Sequence, residues 1–439
     1  MTNMSKKKRT FWTFFDSLEG DKVVWIVVLM LIMISIVCLF SSTSRLLTGN
    51  QTRLDIVRGQ SLIAALGLGL IVLCYNIKNI KVFRWFAKWG ALVSMLLLLL
   101  LVSRINTPFI KSIELNGARR ILQVGGFQIH VYEVVKVAMV VYMAWALDAI
   151  DRKKVKLKVD VKYQKMAYIY APFVLVTLMV IPGSNTASVF IAGIMFIVIL
   201  LGGGNLKEMA LLALFAFIVI GGCFGIYKIS DGKYLERIGT AVSRLTENTD
   251  WERIVMESRM GSKDYYDALD EIRQPYSARI AIHEGGIIGK GPGQSTQRYV
   301  VPDMSEDYMF SFIIEEYGLL GAIVVIFLYV SLMARGALIV KNCKDDKFAK
   351  LTVAGLCVLI TGQAFLHMFV NADIGPMTGQ TLPLISHGNS AFLCFCLAFG
   401  IILSISRTAS KPMEKQQEEA EPLMEHHDNI NDLDILEKL

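Results

Sequence analysis

Pro302-Asp303-Met304-Ser305-Glu306-Asp307-Tyr308-Met309-Phe310 closes a polar stretch of about eighty residues and opens an apolar run that continues to about residue 334. An uninterrupted run of that length belongs in the hydrocarbon of a bilayer, and the chain repeats the pattern along most of its length. Ten membrane-spanning helices are expected, at about 23–42, 58–76, 86–106, 129–149, 167–182, 187–203, 207–227, 308–334, 350–372 and 389–406. The composition agrees, with 54% hydrophobic and 19% charged residues in 439, which excludes a soluble globular enzyme. The fold class expected is therefore all-α: a polytopic membrane protein with one large extracellular loop, 228–307.

Lys and Arg in the short loops set the orientation. Basic residues crowd the N-terminus, Lys78 to Lys88, Arg152 to Lys165 and Arg335 to Lys350, whereas 373–388 holds none. Both termini are thus expected in the cytoplasm. The formal charge of +7 follows from this bias and gives no reason to invoke nucleic acid. The domain plan is a cytoplasmic N-terminus (1–22), a membrane domain (23–406) and a polar, disordered cytoplasmic tail (407–439). Lys6-Lys7-Lys8-Arg9 precedes a full-length span without a small-residue cleavage site, so no cleavable signal peptide is expected. No internal repeat is evident, which disfavours the inverted-repeat transporters. Of the seven cysteines, six lie in spans and read as packing residues, and His426-His427 lies in the tail.

Several groups could carry chemistry. Glu133 and Lys136 are three apart on one helix face, where an intramembrane pair either serves a function or fixes helix register. Arg119 and Arg120 follow Asn116-Gly117-Ala118 and could bind phosphates or anchor the interface. The glycine-rich run Gly289-Lys290-Gly291-Pro292-Gly293-Gln294 could cradle an anion beside Lys290 and Arg298, or only make turns. Its setting is not that of a nucleotide-binding loop, so no nucleotide is expected. Asp303 and Glu306 suit a helix cap, which leaves Asp307 on a different helical face as a candidate base. Gln363, His367, Asn371, Asp373 and the loop Thr378 to Ser390 gather polar groups between the last two spans, with His367 expected to hydrogen-bond rather than ligate metal.

Taken together these elements resemble the SEDS family, the FtsW and RodA membrane proteins of bacterial cell-wall synthesis. Asn116-Gly117-Ala118-Arg119-Arg120 with Glu133-Val134-Val135-Lys136 is similar to the family's N-G-A-x-R-W and P-S-E-x-x-K elements. Gly289 to Gln297, Glu306-Asp307-Tyr308-Met309-Phe310 with Glu315-Glu316-Tyr317-Gly318, and Thr381 to Gly388 resemble three further family elements in the same order. Departures occur at Ile181-Pro182-Gly183-Ser184-Asn185-Thr186-Ala187, where the family's Q-P-D-x-G-T-A has an acid, and at His367, Asp373, His387 and Asn389.

The resemblance implies a peptidoglycan glycosyltransferase of the bacterial cytoplasmic (inner) membrane, leaning toward the division role. It would polymerise lipid II onto a growing lipid-linked glycan strand at the outer face. The partners it implies are a class B penicillin-binding protein, which is a transpeptidase, and other divisome proteins. It implies Asp307 as the family's essential acidic residue, the catalytic base expected here, and Glu133 with Lys136 as its intramembrane acid–base pair. Arg58, Arg119, Lys290, Gln294, Arg298, Gln363 and Ser386 complete the substrate-binding candidates. A divalent cation, magnesium or manganese, is the cofactor considered, with Asp307 as a ligand. The alternatives are an elongation-type polymerase, a flippase or transporter for the lipid-linked precursor, and a scaffold that recruits a transpeptidase.

Overall fold

The computed structural model describes residues 19–42, 53–103, 105–115, 118–155, 157, 159–205, 207–210, 251–301, 304–344, 346–375 and 378–409. Three helices come first: α1 (Lys22–Ser42), α2 (Arg53–Asn76) and α3 (Ile80–Val102). Three strands follow, β1 (Ile110–Leu115), β2 (Ala118–Val124) and β3 (Phe127–His130), and then α4 (Val131–Asp151). Next come α5 (Val161–Lys165), a π turn at Met166–Tyr170, α6 (Ala171–Val180) and α7 (Asn185–Leu201). After the undescribed stretch lie α8 (Trp251–Glu257), α9 (Lys263–Gly285), α10 (Met309–Asn342), α11 (Lys347–Asn371) and α12 (Asn389–Ala409).

Six of these helices, α1, α2, α3, α10, α11 and α12, are long and apolar enough to cross a bilayer. The chain is a mostly helical, multi-pass membrane protein. Helix α4 has the length but carries Glu133, Lys136 and Asp148, and it can lie in a membrane only because sixteen of its 21 residues are buried in protein. It packs among α3, α7 and α11 at the centre of the bundle. Helices α2 and α12 approach closely through small residues: a Cβ built on Gly67 would stand 2.6 Å from the Cys396 sulfur. Nine of the ten expected spans coincide with described helices; the span at 207–227 lies almost wholly outside the described residues.

Two local features depart from the all-helical reading. The loop before α4 is an antiparallel sheet in the order β1-β2-β3. Gly125 and Gly126, both at positive φ, make the two-residue turn between β2 and β3 that such hairpins favour. The sheet also shortens the third span, expected to reach residue 106, to Val102. In addition, α10 is broken at Gly318, whose φ of 68° and ψ of −170° are not helical.

The break at Gly318 lets the glycine-rich run pair with α10 as an extra backbone ladder. Lys290 N–H donates to the Glu315 carbonyl (2.9 Å), Gly291 to Glu316 (3.0 Å) and Leu319 to Gly286 (3.0 Å). A Cβ on Gly318 would lie 2.2 Å from the Ile287 carbonyl oxygen, and one on Gly289 would lie 2.3 Å from that of Glu316. Only glycine permits this contact. Gly318→Ala combines the clash with a left-handed φ and should destabilise the protein by about 1–3 kcal/mol, read as a lower melting temperature in detergent. An unchanged melting temperature would contradict the ladder.

Candidate active site

The end of the bundle that carries the sheet also gathers the polar side chains. At its centre is the Lys136 ammonium, 2% exposed. Its three protons go to three elements: Glu133 Oε1 on α4 (2.6 Å), Gln363 Oε1 on α11 (2.8 Å) and Gln380 Oε1 on the 378–388 loop (2.6 Å). Gln363 in turn donates from Nε2 to the Thr381 carbonyl (3.0 Å). A buried ammonium with all three donors used is held in one position.

The start of α10 sits beside this network and is capped by its neighbour rather than by its own acids. Ser311 N–H donates to Asn371 Oδ1 (2.9 Å) and Phe310 N–H to His367 Nε2 (3.3 Å), both on α11. Asn371 Nδ2 donates to the carbonyls of Asp307 (3.0 Å) and His367 (2.9 Å). His367 Nδ1 lies 2.7 Å from the Gln380 carbonyl, so it must carry the proton while Nε2 accepts. His367 thus has the hydrogen-bonding role expected of it. The expectation that Glu306 caps α10 is corrected: the Glu306 carboxylate lies 3.2 Å from His387 Nδ1, and α10 takes no side-chain cap from its own N-cap residue, Tyr308. Asp303 lies outside the described residues.

The loop 378–388 closes the site. Ser386 Oγ donates to the Glu306 carbonyl (2.7 Å) and accepts from Leu382 N–H (2.9 Å), while His387 N–H donates to the Ser305 carbonyl (2.8 Å). At the mouth, two charged groups border Gly379. The position a Cβ would take there is 3.6 Å from Asp307 Oδ2 and 3.5 Å from Arg120 Nη1. A half-buried carboxylate and a guanidinium thus lie on the same glycine at the edge of a buried ion-pair network.

Arg120 was not singled out above its neighbour by the sequence, yet a register shift in the β1–β2 pairing separates the two: Arg119 stands opposite Glu114 and Arg120 is the extra residue. Arg120 Nε donates to the Gly183 carbonyl (3.4 Å) and turns toward Gly379. Arg119 pairs across the sheet with Glu114 (3.2 Å) and Ser112 (3.4 Å).

The remaining candidates lie elsewhere. Arg58 is 79% exposed and pairs with Asp55 (3.7 Å) on α2. Gln294 is exposed on the glycine-rich run. Lys290 and Arg298 are held by the two buried glutamates of α10. Glu315 accepts from Lys290 Nζ (2.9 Å), Ser295 Oγ (2.5 Å) and Thr296 N–H (2.8 Å). Glu316 accepts from Ser41 Oγ (2.5 Å), and Arg298 donates to the Ser41 carbonyl (2.9 Å) and lies 3.8 Å from Glu316. Partial burial acts to lower the Lys290 pKa, but the bonds to Glu284 and Glu315 outweigh it and raise the value, so this lysine stays charged. These cations hold the glycine-rich run onto α10.

Among the described residues no three His, Cys, Asp or Glu side chains converge closely enough to hold a metal ion.

Comparison with known proteins agrees with this geometry. A family model described as Cell cycle protein, covering FtsW, RodA and SpoVE, matches residues 21–411. A probable peptidoglycan glycosyltransferase FtsW of Geobacter metallireducens is 26% identical over 88% of this chain and 94% of its own length. One of Legionella pneumophila is 30% identical over 66% and 68%, and the stage V sporulation protein E of Bacillus subtilis is 26% identical over 78% and 84%. In fold, the chain is similar to one from a peptidoglycan synthase complex that coordinates polymerization and crosslinking, with a TM-score of 0.63 at 19% identity over 89% of this chain and 98% of that one. It is also similar to the rod shape determining protein RodA of Thermus thermophilus, with a TM-score of 0.56 at 20% identity over 89% and 98%. With the family model covering nearly the whole membrane domain, the chain belongs to the FtsW/RodA/SpoVE family of cell cycle proteins.

Proposed function

We propose that this chain polymerises lipid II, a pyrophosphate-linked disaccharide on a polyprenyl anchor, into glycan strands at the outer face of the bacterial cytoplasmic membrane. The sheet end of the bundle faces outward in this reading, with both termini in the cytoplasm. A class B penicillin-binding protein is the proposed partner, and the curated relatives named FtsW favour a division role. The carrying observation is that Asp307 and Arg120 both border Gly379, beside the fixed Glu133–Lys136 pair.

Glycan polymerisation needs a base for the acceptor hydroxyl and positive charge for the departing pyrophosphate. Asp307 takes the proton as the hydroxyl oxygen forms its bond to the donor's anomeric carbon. The bond from that carbon to the pyrophosphate oxygen breaks, and the lipid pyrophosphate leaves with the electron pair. One displacement inverts the anomeric centre, so no protein nucleophile and no nucleotide is required. Arg120 offers a fork of donors to the leaving phosphates. Lys136, fully engaged below, sets the local potential and the shape of the floor.

The altered motif at 181–187 fits this division of labour. Gly183 stands where the family pattern has an acid, and Tyr132 fills the room above it. A Cβ on Gly183 would meet the Tyr132 hydroxyl at 1.6 Å and the Arg119 carbonyl at 2.7 Å. Tyr132 OH donates to that same carbonyl (3.0 Å), and the Gly183 carbonyl accepts from Arg120. The arginine is thus oriented by the backbone carbonyl of Gly183.

Two measurements test the reading. With the purified chain, its transpeptidase partner and lipid II, Asp307→Asn should lower the polymerisation rate by roughly 100-fold or more. Arg120→Gln should do so by about 10-fold or more, and Arg119→Gln should stay within about twofold. Wild-type glycan from the Asn variant would remove Asp307 as the base, and precursor crossing vesicles without polymer would favour transport. Separately, Gly183→Ala should cost about 1–3 kcal/mol through overpacking. In a double-mutant cycle, adding Tyr132→Ala should recover part of that loss; additive losses would show that the two residues do not share the space.

A further inference from the structure

The end of the bundle opposite the sheet holds a cavity of about 310 Å³ between the start of α3 and the end of α4. Lys81, Arg84, Lys88, Arg152 and Lys154 line it, together with Trp85 and Trp145. Asp148 and the adjacent Asp346 engage the two arginines. Arg84 lies 3.4 Å from Asp148 and 2.6 Å from Asp346, and Arg152 lies 2.7 Å from Asp148 and 3.7 Å from Asp346. The three lysines pair with no carboxylate among the described residues, and Lys88 instead sits 4.9 Å from the Trp145 ring centroid. Five cations face two carboxylates, so three positive charges remain in excess around a cavity that can admit a polar headgroup.

The surroundings identify the depth. Trp85, Phe86 and Trp89 are each more than half exposed on the same turns of α3, the position aromatic side chains take at a membrane–water interface. Toward the sheet end the same helix exposes Leu92, Val93, Leu96 and Leu99, an apolar track continuous with the cavity mouth. Phosphate-sized positive charge at headgroup depth, above an apolar track for acyl chains, matches one molecule. We propose that this cavity binds the headgroup of an anionic phospholipid, phosphatidylglycerol in type, with its chains along α3. Basic pockets between membrane helices bind such headgroups through charge and hydrogen bonds together. The proposal uses no part of the glycan site and does not depend on its chemistry.

The test is native mass spectrometry of the full chain, delipidated in detergent and titrated with phosphatidylglycerol or phosphatidylcholine. Wild type should bind phosphatidylglycerol preferentially. Lys81→Gln/Lys88→Gln/Lys154→Gln should weaken that binding by roughly 100-fold while leaving phosphatidylcholine unaffected. A control triple on the same end, Lys341→Gln/Lys344→Gln/Lys350→Gln, should retain it. Lys154→Glu, an exposed single substitution, repeats the test should the triple variant not fold. Equal binding of both lipids, or equal loss in both triple variants, would reduce the cavity to general surface charge. Full displacement of the lipid by millimolar inorganic phosphate would assign it to a free anion and overturn the lipid reading.

Discussion

Three oxygens around one ammonium organise this protein. Lys136 lies a little over one turn inside α4, in a part of the bundle where an unpaired cation would cost several kcal/mol. Its donors must therefore all be used, and the acceptors come from α4, from α11 and from the loop that precedes α12. Helix α4 is remote in the chain from the other two: Lys136 and Gln380 are separated by 244 residues. Satisfying one cation thus fixes the relative placement of three parts of the fold, and the loop so fixed is the one that carries Gly379 beneath Asp307 and Arg120. The pair works as a register device and as the floor of the candidate site at once, so the two readings open at the sequence level are not in competition.

A second constraint acts at the glycine-rich run. Backbone that lies against the end of a membrane helix cannot leave its amides unpaired. The break at Gly318 supplies carbonyls and the run supplies amides, while Glu315 and Glu316, both buried, take up the remaining donors of Ser295, Thr296 and Gln297. Lys290 lies 2.9 Å from Glu315 and Arg298 3.8 Å from Glu316, so each buried glutamate has a cation close by. A motif that looks like an anion cradle in sequence is thereby turned inward, and its cations neutralise the protein's own carboxylates.

The sequence made the helical class, the helices under nine of the expected spans and the Glu133–Lys136 pair legible, because apolar length and i,i+3 spacing are local signals. The partners of that pair were not, since Gln363 and Gln380 reach it only after α11 and its following loop fold back. The sheet was missed although Gly125-Gly126 between apolar-rich segments is a hairpin signal; the neighbouring spans dominated the reading. Missing the sheet hid the difference between Arg119 and Arg120, which comes from the register shift that pairs Arg119 with Glu114 and leaves Arg120 out of the ladder. Arg58 looked like a site cation because of its charge in an apolar segment, and its exposure beside Asp55 follows from which face of α2 packs inward.

The capping of α10 shows why local rules fail where function concentrates. Acids just before an apolar helix normally serve its N-terminus, and by that rule Asp303 and Glu306 needed no further role. Here α11 reaches across with His367 and Asn371 to take the amides of Phe310 and Ser311. Two consequences follow from moving the cap to another helix. Asn371 also holds the Asp307 carbonyl, so the backbone under the candidate base is tied to α11 rather than to the end of a loop. Glu306 is released to meet His387, and the loop 378–388 is drawn over α10 through Ser305, Glu306 and Ser386. The elements that bring Gln380 to Lys136 are then the same ones that bring Gly379 to Asp307. Any displacement of α11 must disturb the buried pair, the helix start and the mouth of the site together, so the candidate base is positioned by the membrane bundle and not by its own loop.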